Sequence, residues 1–187
     1  MIAVSGSGIA GLAAALAVLR NQKPLLLVAG STPTTMLHGG VQIAPNGWAA
    51  LDQLGLGDTA RAHATNLIAI TVRDMRSAAT LAGLDLSASP YASLSRADLA
   101  NLLKAEISAA KGMTHITANI THVVQRGSDQ GKAVHMLTDD GGRHVVDALI
   151  AADGVSGFGR HYVNGTDHGR GFNVANFETF VVQIVLK

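Results

Sequence analysis

No cysteine occurs among the 187 residues, which excludes disulfides, thiolate metal ligands and thiol nucleophiles, so that any redox chemistry must be carried by a cofactor. Charge is scarce too. Charged residues make up 14% of the chain, and the net charge of +1 arises without a Lys/Arg cluster. That leaves no electrostatic footprint for nucleic acid or an anionic membrane, and neither is expected as a partner. Long apolar runs are also missing. The longest, Gly8 to Leu19, is too short to span a bilayer and lacks the preceding positive residues of a signal peptide, so a soluble, cytoplasmic protein is expected. The eight histidines are scattered; neither His115 with His122 nor His161 with His168 has a metal-ligand spacing, and no metal site is expected. Gly127 to Lys132 falls one residue short of a P-loop, and no GxSxG elbow supports a hydrolase. The single tryptophan, Trp48, reads as a core residue. What remains is apolar material, 48% of the chain, enough for one ordinary domain to bury a core.

Periodicity orders this material. Met1 to Ser5 is a short apolar run ending in glycines, and Leu12 to Arg20 is Ala- and Leu-rich without a breaker, which reads as strand, tight turn and helix. Leu25 to Ala29 is apolar on both faces, as a strand inside a parallel sheet must be. A loop from Gly30 to Gly40 follows, then a helix from about Asn46 to Leu54 that stops near Gly55 and Gly57. Strands are expected at Leu67 to Arg73 and Leu81 to Leu86. Ser95-Arg-Ala-Asp98 resembles a capping box opening a helix to about Lys111, with Leu99, Leu102, Leu103 and Ile107 on one face. Strands then follow near His115 to Ala118, His122 to Arg126, Ala133 to Thr138 and His144 to Ala152, with Asp140-Gly141-Gly142 as a hairpin turn. A last strand-like run covers Thr179 to Leu186.

Gly6-Ser-Gly8-Ile9-Ala10-Gly11 matches GxGxxG where that motif has physical meaning, between an apolar strand and a small-residue helix. The first glycine permits the turn, the second lets backbone approach a pyrophosphate, and the third lets helix pack on strand. The helix start adds N–H groups and partial positive charge. A dinucleotide is the expected ligand. The acid that usually closes on the adenosine ribose at the end of the second strand is absent. Ala29 and Gly30 stand there, and no acidic residue precedes Asp52. Ser31 and Thr32 are followed by no Arg, which weakens a reading for a 2′-phosphate.

Further segments, in order along the chain, resemble the FAD-dependent aromatic hydroxylases of the p-hydroxybenzoate and salicylate hydroxylase group. After the glycine motif come Gly39-Gly40-Val41-Gln-Ile-Ala-Pro-Asn46 with Ala49 to Gly57, similar to that family's loop and helix beside the flavin. Ser95-Arg96-Ala-Asp-Leu99 looks like its Arg-x-x-Leu segment. Ala148-Leu-Ile-Ala-Ala-Asp153-Gly154, followed by Arg160, looks like its Asp-Gly motif at a strand end. A serine usual four positions after that Asp is Gly157 here, with Ser156 adjacent. The resemblance covers the family's N-terminal half; nothing after Arg160 matches its later Gly-Asp segment.

The resemblance implies a mixed α/β fold: a Rossmann-like FAD-binding domain with a mainly parallel sheet, an antiparallel β-meander and the start of a substrate-domain sheet. The expected division is 1–160 for the FAD-binding part, with 67–89 as candidate strands of the substrate sheet, and 161–187 as the start of the substrate domain. It implies FAD as cofactor, NAD(P)H as co-substrate and an aromatic small molecule as substrate for monooxygenation. Cofactor-binding positions would be Gly6, Gly8, Ile9, Ala10, Gly11, Gly39, Gly40, Val41, Arg96, Asp153 and Gly154. No catalytic side chain is named, since the flavin carries the chemistry. For partners the resemblance leaves a homodimer, or another chain supplying the C-terminal half. Two other functions fit the glycine motif: a non-catalytic nucleotide-binding fragment, and an NAD(P)-dependent dehydrogenase.

Overall fold

The computed structural model describes residues 1–30, 39–128, 131–154, 157–164 and 180–186. The expected loop residues 31–38, with Ser31 and Thr32, lie outside the described residues, as do Ser156, His168, Thr179 and part of Gly127 to Lys132. The chain divides into two units, residues 1–37 with 100–169 and residues 38–99 with 170–187.

In the first unit, β1 (Ile2–Ser5), β2 (Leu25–Val28), β7 (Met113–Ile116) and β11 (Ala148–Ala151) form a parallel sheet in the order β11-β1-β2-β7. All four residues of β2 are buried, and Ala3 and Val4 of β1 are fully so. This is the pattern of strands covered on both faces. Between β1 and β2 runs α1 (Ile9–Arg20), whose Leu12, Ala15, Leu16 and Leu19 are buried at the three- and four-residue spacings that put them on one face. Each buried leucine contributes roughly 2 kcal/mol of apolar transfer. A meander of β8 (Ile120–Ser128), β9 (Gly131–Thr138) and β10 (Arg143–Val146) is antiparallel throughout. Its Ile120, Val123, Val134, Met136 and Val146 form one buried cluster with Ala3, Leu26 and Val28 of the parallel sheet. The β9–β10 turn is the expected hairpin: Gly141 has φ +84, and the Thr138 N–H donates to the Gly142 carbonyl at 3.0 Å.

His144 to Ala152, expected as one strand, is two. β10 pairs antiparallel with β9, whereas β11 pairs parallel with β1. The break falls at Asp147, whose N–H donates to the Met1 carbonyl at 2.9 Å and whose carboxylate takes the terminal ammonium. A short helix not foreseen in the sequence, α5 (Phe158–Asn164), follows β11, with Phe158 stacked on Tyr162 at 5.8 Å between ring centroids.

The second unit holds a five-stranded sheet ordered β12-β4-β6-β3, with β5 beside β4. Its strands are β3 (Gly40–Ile43), β4 (Thr65–Asp74), β5 (Thr80–Asp85), β6 (Ala92–Ser95) and β12 (Phe180–Leu186). β4 and β5 occupy the stretch 67–89, and β12 pairs antiparallel with β4. β3 and β6 are not foreseen from the sequence, which assigns Gly39 to Asn46 to a loop and Ser95 to a capping box. Helix α4 (Arg96–Ala109) starts where expected, with the Ser95 Oγ accepting the Asp98 N–H at 3.4 Å.

Helix α2 (Pro45–Gln53) ends in a Schellman turn: the Leu56 N–H reaches the Leu51 carbonyl at 2.9 Å and Gly55 takes φ +73. A one-and-a-half-turn helix, α3 (Gly57–Ala62), follows. Arg61 binds Asp52 through two parallel hydrogen bonds of 2.6 and 2.8 Å, and its guanidinium lies 4.9 Å from the centre of the Trp48 ring. Trp48 itself is 4% exposed, a core residue as expected. The bidentate bond to Arg61 holds the Asp52 carboxyl below the ordinary aspartate range. A depressed folded-state pKa means that the pair's contribution is present at neutral pH and is lost as pH falls through that pKa. Arg61→Gln should therefore return the Asp52 titration, followed by NMR, to ordinary values; an unmoved titration would show that Arg61 is not the cause.

Candidate functional site

The glycine motif occupies the turn from β1 into α1. The Gly6 N–H donates to the Val28 carbonyl at 2.8 Å, and the Ser5 carbonyl accepts the Ala152 N–H at 2.9 Å, so the turn is held from the ends of β2 and β11 together. Gly6 has φ +100, and a Cβ there would overlap the Ala152 carbonyl oxygen and come within 2.9 Å of the Asp153 Cα. A Cβ on Gly11, in the first turn of α1, would overlap the Gly6 carbonyl. These two glycines are consumed by packing. Gly8 differs. It is the exposed N-cap of α1, its carbonyl accepts the Leu12 N–H at 2.9 Å, and a Cβ there would meet nothing among the described residues within 4 Å. Ile9 and Ala10 complete the first turn, half-buried and exposed. The helix start carries no side-chain cap and no acidic residue in its first turn, leaving its N–H groups and partial positive charge available to an anion.

One residue before this turn, Ser5 is 3% exposed and its hydroxyl finds no hydrogen-bond partner among the described residues. A buried hydroxyl of this kind costs free energy unless something satisfies it. The open glycine at a helix start without a side-chain cap or first-turn acid fits a phosphate-bearing dinucleotide.

Asp153 and Gly154 follow β11, next to this turn. Asp153 is half-buried, and its Oδ2 accepts the Gly159 N–H at 3.1 Å. Glycines make room for it: a Cβ at Gly157 would overlap the Asp153 carboxyl, and one at Gly159 would overlap the Ala151 side chain. The serine common in the resembling family at the Gly157 position would collide with this aspartate as it is held here. Gly154, with φ +87, is exposed with open space around it.

In the second unit, β3 and β6 pair so that Gly40 lies opposite Ser95 and Val41 opposite Leu94. The Arg96 N–H donates to the Gly39 carbonyl at 3.0 Å. This ladder brings Gly39, Gly40, Val41 and Arg96 together from segments more than fifty residues apart in sequence. Gly39 is open, with no atom of the described residues within 4 Å of where a Cβ would stand, and Arg96 is exposed and makes no ion pair with any described residue. Among the described residues no cluster of three metal-ligating side chains exists, and no helix is long and apolar enough to cross a membrane.

A family model described as an FAD binding domain matches residues 1–184. The chain belongs to this family. FAD is accordingly its cofactor class, and a nicotinamide dehydrogenase assignment is set aside. This FAD-binding domain is 29% identical over 161 residues to the 3-hydroxybenzoate 6-hydroxylase of Polaromonas naphthalenivorans, covering 82% of the chain and 40% of that relative. It is 32% identical over 161 residues to the 3-amino-4-hydroxybenzoate 2-monooxygenase PtnB3 of Streptomyces platensis, covering 82% of the chain and 39% of the relative. The chain thus spans about two fifths of the length of these curated relatives. Among solved structures, p-nitrophenol 4-monooxygenase PnpA from Pseudomonas putida DLL-E4 superposes with a TM-score of 0.70 at 19% identity, over 87% of this chain and 42% of that one. Klebsiella pneumoniae HpxO complexed with FAD and uric acid gives 0.67 at 23% identity, over 87% and 41%. These likenesses show the fold, a mixed α/β one with a parallel sheet and antiparallel sheets.

Proposed function

We propose that this chain is the FAD-binding part of a monooxygenase that hydroxylates an aromatic small molecule using NAD(P)H and dioxygen. The observation that carries it is Gly8: the only glycine of the motif with open space at its Cβ position sits where a helix start offers N–H groups to a pyrophosphate. Bound FAD would supply the redox and oxygen-activating chemistry; the residues here bind, orient and exclude water. On this reading Gly6, Gly8, Ile9, Ala10 and Gly11 form the turn for the pyrophosphate, with Asp153 and Gly154 beside it. Asp153 keeps its Oδ2 on the Gly159 N–H, and its remaining carboxylate lone pairs serve ligand hydroxyls. Gly39, Gly40, Val41 and Arg96 belong to the flavin side, the open glycine allowing close backbone approach and the guanidinium offering donors.

Residues 161–187 are read as the start of the substrate-covering domain, supported by the pairing of β12 with β4. The substrate is an aromatic small molecule because relatives on both the sequence and the structural side are named for hydroxylated or nitrated benzenes. The complete reaction needs the C-terminal half of such an enzyme, on the same polypeptide, on a second copy or on another partner, and the setting is the cytoplasm. A second reading, a nucleotide-binding fragment without turnover, is favoured by Ala29, which stands where a ribose-binding acid is usual.

The test is a visible absorption spectrum after incubation with FAD and gel filtration. Flavin absorbance co-eluting with the protein is expected, and NAD(P)H oxidation with candidate aromatics becomes the next assay. A colourless protein at saturating FAD would sink the monooxygenase reading for this chain.

A further inference from the structure

The strand end without its acid is not bare. β7 lies beside β2 in register, Val28 opposite Ile116, and the Ala29 N–H donates to the Ile116 carbonyl at 3.1 Å. The chain leaving β7 therefore runs alongside the chain leaving β2, and three residues on it carries Asn119. The amide of Asn119 lies over Gly30: a Cβ on Gly30 would overlap Oδ1 and come within 3.1 Å of Cγ. Any other residue at 30 would have to displace that amide.

Asp139, in the turn after β9, fixes it there. The Asp139 carboxylate accepts the Asn119 backbone N–H at 2.9 Å and the side-chain Nδ2 at 2.7 Å. The Asp139 N–H in turn donates to the Asn119 carbonyl at 2.9 Å. An ionised carboxylate can only accept, so the amide nitrogen must face Asp139 and Oδ1 must face Gly30. The same hydrogen bonds from Asn119 hold the Asp139 carboxyl below its ordinary range, which keeps it ionised at neutral pH. Buried Ala118 and Ile120 on either side anchor the backbone, while Asn119 itself is exposed and within reach of a ligand. Oδ1 accepts no hydrogen bond from any described residue.

We propose that Asn119, oriented by Asp139 and accommodated by Gly30, accepts the hydrogen bond from the adenosine ribose that a carboxylate at the end of β2 would otherwise accept. The proposal rests on the FAD reading above. Asn119 is a binding residue and Asp139 a positioning residue. A neutral amide oxygen is a weaker acceptor than a carboxylate, so ribose selectivity is expected to be moderate, about tenfold, the range of one hydrogen bond to a neutral acceptor.

The experiment is calorimetric titration of the full chain with FAD, ADP, 2′-deoxy-ADP and 3′-deoxy-ADP, for the wild type and for Asn119→Ala, Asp139→Asn and Gly30→Ala. Wild type should bind ADP about tenfold more tightly than at least one deoxy analogue. Asn119→Ala should abolish that ratio and weaken FAD by a similar factor. Gly30→Ala, whose Cβ pushes the amide aside, should reduce the ratio without touching Asn119 and serves if Asn119→Ala does not fold. A wild-type ratio near one, or a ratio retained in a folded Asn119→Ala or Gly30→Ala protein, overturns the proposal while leaving FAD binding intact. Wild type that binds neither FAD nor ADP overturns the FAD reading and the proposal with it.

Discussion

Gly6→Ala should unfold at a much lower urea concentration than the wild type. The substitution puts a Cβ into the Ala152 carbonyl and Asp153 backbone at a residue whose φ is +100. The left-handed conformation costs a non-glycine residue roughly 1–2 kcal/mol, and the overlap is with backbone, which cannot rotate away, adding roughly 1–3 kcal/mol of the kind seen on overpacking. Together these take a large part of the roughly 5–15 kcal/mol that stabilises a typical domain. Relief would require β11 to part from β1, where Ser5 and Ala151 pair. An unchanged unfolding midpoint would mean that the turn is looser than the geometry requires.

Gly8→Val is expected to do the opposite, sparing the fold and removing the ligand. No atom of the described residues stands within 4 Å of the added Cβ, and the loss of a favourable N-cap residue costs no more than about 1 kcal/mol. If a pyrophosphate lies against that backbone, the branched side chain occupies its place and FAD affinity should fall by about a hundredfold or more, ~2.7 kcal/mol. Fluorescence titration of FAD alongside urea unfolding separates the two quantities. FAD bound as tightly as by the wild type would exclude the α1 start as the pyrophosphate site. The pair of substitutions thus divides one motif into a structural glycine and a binding one.

The spacing Gly6, Gly8, Gly11 between an apolar strand and a small-residue helix was enough to read the first βαβ unit, because the signal is local and each glycine has a distinct steric reason. The meander and its hairpin at Gly141 were legible for the same reason, short apolar runs separated by turn residues. His144 to Ala152 misled because apolar continuity says nothing about partners: its two halves belong to different sheets, and the divider, the Asp147 bond to the Met1 carbonyl, joins residues 146 apart in sequence. Gly40 to Ile43 alternates, with Gln42 exposed between Val41 and buried Ile43, but over four residues that period is too short to register, and its pairing with Ala92 to Ser95 is what makes it a strand. Phe158 to Asn164 is one short helix with a glycine second, too brief for periodicity to register. At the candidate site, the role of Gly157 and Gly159 in making room for Asp153 could have been suspected from their closeness in sequence. The Asn119–Asp139 pair could not, since twenty residues separate them and neither type is unusual in a turn.

The position of β1 has a kinetic consequence. It is an inner strand, with β2 on one side and β11 on the other, and its register with β11 joins Ile2 to Ala148. On a ribosome, β1, α1 and β2 emerge together and can associate at once, but the second flank of β1 stays unpaired until residues 148–151 arrive. The whole of 38–99, which folds as part of another unit, is synthesised in the interval. Contacts of such long sequence separation make folding slow, and an apolar strand edge left open meanwhile is a template for pairing with other chains. Aggregation during synthesis, and the demand on chaperones, should therefore be concentrated in nascent chains that have released β2 but not yet β11.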